Sequence, residues 1–254
     1  VPPDAPDVVI AQNGNDAIRI AQTGGGDITL NVNNTQATGN RVNGTASRDG
    51  LSYNADGQVT AGTTTIVVDN STFVDFGDDG MHFFYDHAGN PGFTTLGVTV
   101  TDSIIGQTQF SSVVGDGVDI ELHDNGASFN FNNNQILNNG GDGFRMVLLA
   151  ENMNAARIAV FPDVDFNADG TNETTTPIAP GLPGTFWADP NFVDFTARLR
   201  LTNNHIQFNG DDGVDLAIGG GTRLGTAGNR AIVRGNVMTG NANNGFFTRT
   251  ITNT

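Results

Sequence analysis

The sequence predicts an all-β solenoid, a stack of short coils that each carry one copy of a repeated phrase. Three observations predict it. "NNQILNNGGDGFRMVLL" (Asn133 to Leu149) and "NNHIQFNGDDGVDLAIG" (Asn203 to Gly219) share one pattern of polar residues, Ile, Asn, Asp-Gly and alternating apolar positions. Asp-Gly before an apolar residue recurs at Gly50, Gly80, Gly117, Gly143 and Gly213, with weaker copies at Gly245 and Ala17. Several neighbouring copies lie roughly thirty residues apart, a solenoid period. Finally, 34 glycines and abundant Asn, Asp and Thr favour turns and short strands over helices.

Each anchor glycine opens a strand. One and three residues after it come Ile18/Ile20, Leu51/Tyr53, Met81/Phe83, Val118/Ile120, Phe144/Met146, Val214/Leu216 and Phe246/Thr248. The alternation is that of a strand with one buried face. Seven residues before the anchor sits Phe73, Phe110, Ile136, Ile206 or Met238, preceded two positions earlier by Ser71, Thr108, Asn134, Asn204 or Asn236. Each coil thus shows two strand-like segments joined by a polar turn and a Gly bend. Stacking buries the apolar rows and aligns the Ser/Thr/Asn positions into a ladder. About seven coils are expected in one domain over 1–254. The wide gap between Gly143 and Gly213 places a long irregular insertion at 150–196.

Charge narrows the partners. The formal net charge is −16 and all 11 basic residues are Arg. Such a surface repels nucleic acid and anionic lipid and attracts divalent cations. The chain has no Cys, and no apolar run approaches the length needed to cross a membrane. A secreted or cell-surface location fits this composition.

The phrase "N-x-I-x-x-N-x-x-D-G-[VIF]-x-[LI]" resembles the coils of the right-handed parallel β-helix proteins, the pectate-lyase-like group. The strongest resemblance lies at 66–84, 98–122, 130–149 and 199–218. It implies a right-handed parallel β-helix. That fold hosts lyases, hydrolases, epimerases, adhesins and phage tailspikes, so it leaves function open.

Four features are candidates for chemistry. Asp211-Asp212 in "GDDGV" is similar to the Asp pairs of the polygalacturonases, and paired carboxylates serve acid and base roles in glycoside hydrolysis. The Gly-His-Gly and Arg-Ile-Lys segments of those enzymes are missing, and the same Asp pair recurs at Asp78-Asp79, where it reads as a turn former bonding its own backbone. Counted from their anchors, Asp86 aligns with His123 and His87 with Asp124. Two His and two Asp on one edge of the stack suit a transition metal or a shared proton, or form a solvated loop edge. "DVDFNADGTNET" carries Asp165, Asn167 and Asp169 at the alternating spacing of a Ca2+ loop, Gly170 for the sharp turn, and Thr171 and Glu173 as further ligands. Thr176 stands where such loops place a bidentate Glu. Trp187, on a Pro/Gly-rich stretch, reads as a staple against the solenoid wall or a sugar-stacking ring.

No amphipathic capping helix precedes Ala17, and the last residues still follow the coil pattern. The sequence therefore predicts self-association through uncapped coil ends, or a longer parent chain. These observations favour a non-catalytic structural or adhesive module of a bacterial surface, able to assemble end to end into filaments. The rivals are a polysaccharide-active lyase or hydrolase and a glycan-binding module. A polysaccharide is the possible ligand in both.

Overall fold

The structure is a computed structural model. It describes residues 8–13, 15–23, 26–39, 49–56, 62–86, 94–106, 109–110, 113–123, 127–149, 196–219, 223–224 and 231–251. The described residues form strands, numbered β1 to β23 in chain order, and no helix. The Asp165–Glu173 loop, Trp187, His87 and Asp124 lie outside the described residues.

Three parallel sheets of stacked strands build the molecule, the arrangement of a parallel β-solenoid. The first, in spatial order, holds β1 (Val8–Asn13), β4 (Thr35–Gly39), β7 (Thr72–Val74), β10 (Ile104–Gly106), β15 (Gln135–Leu137), β18 (His205–Gln207) and β22 (Val237–Thr239). The second holds β2 (Ile18–Gln22), β5 (Leu51–Asp56), β8 (Met81–Asp86), β13 (Val118–His123), β16 (Phe144–Leu149), β19 (Val214–Gly219) and β23 (Phe246–Ile251). The third runs β3 (Ile28–Asn33), β6 (Gly62–Asp69), β9 (Thr94–Thr101), β14 (Ala127–Asn132) and β17 (Thr196–Thr202). There β17 pairs with both β20 (Arg223–Leu224) and β21 (Ile232–Arg234).

The second sheet carries the anchor phrase in the expected register. Ile18, Leu51, Met81, Val118, Phe144, Val214 and Phe246 pair in one unbroken row. The third sheet is a strand per coil that the repeat phrase does not announce, since it follows the anchor strand across loops of differing length. The insertion expected at 150–196 falls between β16 and β17, and Thr196 already belongs to β17.

One row differs from the expectation. Ile105 joins Phe73, Ile136 and Ile206 in the first sheet, and Ser103 takes the ladder position assigned to Thr108. Phe110 instead lies in β11 (Gln109–Phe110), antiparallel to β12 (Val113–Val114). This short hairpin lengthens the turn before Gly117, so counting back from the anchor lands on the wrong residues.

The interior is filled by rows from all three sheets. Leu51, Tyr53, Met81, Phe83, Val118 and Phe144 of the second sheet are fully buried, as are Ile66, Val68, Val100 and Phe131 of the third. Rings interlock edge to face: Phe83 with Phe129 at 5.8 Å, Phe131 with Phe144 at 5.2 Å, and Tyr53 with Tyr85 at 6.2 Å. Such pairs add to the gain from burial. Two of these rows surface at β21 and β23, where Val233 and Phe246 are exposed.

The corner into the first sheet repeats a two-residue device. Asn34, Asn70, Asp102, Asn133 and Asn203 adopt left-handed backbone, with φ of 46°, 46°, 51°, 58° and 58°. Asn and Asp tolerate that conformation better than other residues with side chains. Gly235 does the same duty beside β22.

The anchor glycines are needed for a different reason from the expected bend. None of Gly50, Gly80, Gly117, Gly143 and Gly213 has a left-handed backbone. Each lies so close to the next coil that a Cβ would strike it. At Gly143 the clash is 2.4 Å from Ile206 Cγ2 and 2.7 Å from the Gly213 carbonyl oxygen. We predict that Gly143→Ala destabilises the fold by about 1–3 kcal/mol through overpacking. Gly97→Ala is the control, because its nearest atom would be the Thr64 carbonyl at 4.0 Å. Chemical denaturation of both variants checks this, and equal midpoints would contradict it.

Candidate functional site

The residue before each anchor glycine forms a continuous column. Asp16, Asp49, Asp79, Asp116, Asp142 and Asp212 each accept, through Oδ1, the backbone N–H of their counterpart one coil further on. The distances run 3.2, 3.2, 2.7, 2.7, 2.9 and 2.7 Å, and Asn244 is the last rung. These carboxylates thus bond the neighbouring coil, where the sequence reading had them bonding their own turn. The signal was in the sequence: an Asp precedes the glycine in every strong copy.

Stacking carboxylates in a buried column has an electrostatic cost. Burial first, and then the charges of Asp119 and Asp116, raise Asp79 to about 9, against the hydrogen bond from the Asp116 N–H. Asp116 is raised to about 8 by burial and by Asp119 and Asp142. Asp142 is raised to about 6 by burial, opposed by the Asp212 N–H. For His82, burial acts downward, but the hydrogen bond and charge of Asp49 outweigh it and raise the imidazole to about 9. Its Nδ1 lies 3.4 Å from Asp49 Oδ2.

Beside the column, the outward face of the second sheet carries a cross-strand row. In register it reads Arg19, Ser52, His82, Asp119, Arg145, Asp215 and Phe247. From His82 to Asp215 basic and acidic groups alternate, the favourable cross-strand arrangement. Arg145 Nη1 donates to Asp119 Oδ1 at 2.7 Å and to Glu121 Oε1 at 2.9 Å. Arg249 Nη2 donates to Asp215 Oδ2 at 2.7 Å, while Asp215 Oδ1 is buried without a hydrogen-bond partner among the described residues. Burial raises Asp215, against the pull of Arg249.

Column and row together line a groove of ≈ 400 Å³, walled by Asp142, Asp211, Asp212 and Asp215 with Arg145, Arg249 and Phe247. Of the expected candidates, Asp211 and Asp212 are here. Asp211 accepts from Asn243 Nδ2 at 2.6 Å, and Asp212 takes both the N–H and the side-chain amide of Asn244. Asp142, Asp215, Arg145 and Arg249 were not singled out by the sequence. Three separate coils bring them together, so no local motif marks them. Asp86 and His123 are paired in register on β8 and β13, as the anchor count implied, and the His123 ring lies 5.3 Å from that of Phe84. That edge is separate from the groove's lining residues.

Among the described residues, two groups place ligand atoms within 4.8 Å of one another: Asp49, Asp79 and His82, and Asp142, Asp211 and Asp212. Oxygen-only sets suit hard cations, and the His-containing set suits a transition metal. The fold and this face together define a parallel β-solenoid with an acidic outward groove. Comparison with known protein families, characterised proteins and solved structures finds no match.

The column makes stability depend on pH. Asp79 and Asp116 hold protons in the folded state that the unfolded chain releases near the ordinary carboxylate range, and His82 holds its proton above its ordinary range. The folded chain therefore binds more protons than the unfolded one, and stability falls as pH rises through that window. The melting temperature is expected to drop steadily from about pH 5 to about pH 9. Asp79→Asn, which keeps the accepting oxygen, is expected to flatten the drop. A wild-type profile that rises with pH would contradict this account.

Proposed function

We propose that the chain is a non-catalytic structural or adhesive module of a bacterial surface, built as a right-handed parallel β-helix of the pectate-lyase-like kind. One observation carries the reading. The second Asp of each pair that suggests catalysis, Asp79 and Asp212, belongs to a column in which each carboxylate accepts the backbone N–H of the next coil. A carboxylate fixed to a backbone N–H on a repeat-wide rung serves stacking first. The acidic surface and the lack of Lys support an extracellular, cation-rich setting.

A second reading has its own support. The groove sets an Asp142 carboxyl raised to about 6 beside Asp211 and Asp212, a combination that acid–base hydrolysis of a glycan uses. One experiment separates the two. The chain is incubated with pectate, alginate and neutral glucans, and new reducing ends and unsaturated products are measured. No products are expected. Products that disappear in Asp211→Asn would establish the enzyme reading and overturn ours.

Calcium belongs to this proposal through the loop at Asp165, Asn167, Asp169, Thr171 and Glu173. Ion binding to the folded state raises stability by mass action. Millimolar calcium is expected to raise the melting temperature in wild type, and Asp169→Ala is expected to lose most of that rise. An identical rise in the variant would remove the loop as the site.

A further inference from the structure

The turn after the first sheet repeats in column. Asn138 follows β15, Phe208 follows β18 and Gly240 follows β22, with the Asn138 N–H bonded to the Gln207 carbonyl and the Phe208 N–H to the Thr239 carbonyl. All three adopt left-handed backbone, with φ of 58°, 59° and 72°. Asn and Gly suit that conformation. A bulky residue does not, and Phe208 is held there against its preference.

Burial does not explain the choice, because Phe208 is 58% exposed. The ring lies across Gly240, where a Cβ would come within 2.4 Å of Phe208 Cδ1. Beside it runs a low shelf. Gly210 sits so close on Gly140 that a Cβ would come 2.1 Å from the Gly140 carbonyl oxygen, and Ala242 follows in the same column. The flank is uncharged and polar: Gln207 Nε2 donates to Thr239 Oγ1, and Asn138 is exposed. The turn thus carries a solvent-open aromatic ring on a strained backbone, laid over Gly240, with amide and hydroxyl residues at the neighbouring positions of the same turn column.

We propose that Phe208 is the stacking platform of a binding site for an uncharged sugar, with Asn138, Gln207 and Thr239 as its hydrogen-bonding flank. The C–H face of a pyranose matches an exposed ring, and its hydroxyls match amides and a hydroxyl. The acidic groove follows in the same turn, starting at Asp211. The chain's net charge of −16 selects against acidic sugars. The site gives the adhesive half of the proposed function its ligand class and rests on that reading.

Titration calorimetry with cello-, laminari-, malto- and mannohexaose tests it, with reducing ends assayed in the same samples. At least one hexasaccharide is expected to bind. Phe208→Trp is expected to retain binding. Phe208→Leu keeps the bulk and the backbone strain but loses the ring, and is expected to weaken binding about tenfold or more. Phe208→Asn is expected to abolish binding and to leave the melting temperature unchanged or higher by roughly 2–4 °C, since Asn suits the turn. The proposal is overturned if no hexasaccharide binds, or if Phe208→Leu binds like wild type, as an apolar protein contact would. It is equally overturned if Phe208→Asn melts several degrees lower, because the ring would then be a structural clamp. New reducing ends would sink the non-catalytic reading while the affinities still decide the role of Phe208.

Discussion

Everything in this solenoid depends on how backbone N–H groups are satisfied where the chain turns. Within strands the neighbouring coil supplies the partner. At corners the ladder would fail, and an unpaired buried N–H is costly. Side chains take over. The Thr35 N–H donates to Ser71 Oγ, Ser71 to Ser103 Oγ, Ser103 to Asn134 Oδ1, Asn134 to Asn204 Oδ1 and Asn204 to Asn236 Oδ1. A second amide row, Asn139, Asn209 and Asn241, repeats the arrangement at the next corner. The Asp column solves the same problem with the opposite direction: there the later coil donates and the earlier one accepts. The stack is therefore clamped from both sides of each coil.

The choice of side chain at each corner has electrical consequences. An Asn rung is neutral and its amide finds a carbonyl, as Asn134 Nδ2 finds Val100 and Asn204 Nδ2 finds Phe131. An Asp rung accepts the same N–H but brings a charge into a buried column. The outward row of the second sheet responds to that charge. His82 stands beside Asp49, and Arg145 draws in Asp119 and Glu121. Arg145 is held in its charged form, because the neighbouring Asp119 and Glu121 more than offset the effect of its burial. Where cations are short, the carboxyls keep protons. The acidic groove is the surface end of this imbalance, which makes it a property of the repeat as well as a candidate site.

This division explains what could be read from the sequence. The second sheet was legible because its apolar pairs keep a fixed distance from a glycine that only close packing permits. The first sheet was legible at β7, β15, β18 and β22, unannounced at β1 and β4, and misplaced at one coil, where the β11–β12 hairpin shifted the count from Ser103 and Ile105 to Thr108 and Phe110. The third sheet was not read, since loops of unequal length separate it from the anchors. The groove was half read. Asp211 and Asp212 are adjacent and look like a motif. Arg145 and Asp215 acquire meaning only when β16 and β19 pair. Asp86 and His123 show the converse: counting from anchors gave their pairing, because no loop intervenes.

In a repeat of this kind, residues that obey the column are accounted for by stacking, so departures from it carry the information about function. The accepting oxygen of a rung Asp has a neutral equivalent, since Asn204 and Asn236 accept the backbone N–H of the neighbouring coil at another corner. Phe208 has no such equivalent. Its neighbours in column, Asn138 and Gly240, meet the demand of the turn without strain, and Phe208 meets it at a conformational cost that solvent exposure does not repay. Phe247 departs in the same sense, standing exposed at the end of an otherwise polar row, with Arg249 6.0 Å from its ring centroid. Phe208 lies on the coil that supplies Asp211, Asp212 and Asp215, and Phe247 lies on the next coil, paired in register with Asp215. Among the described residues, these exposed aromatic departures from the column are therefore concentrated on two neighbouring coils.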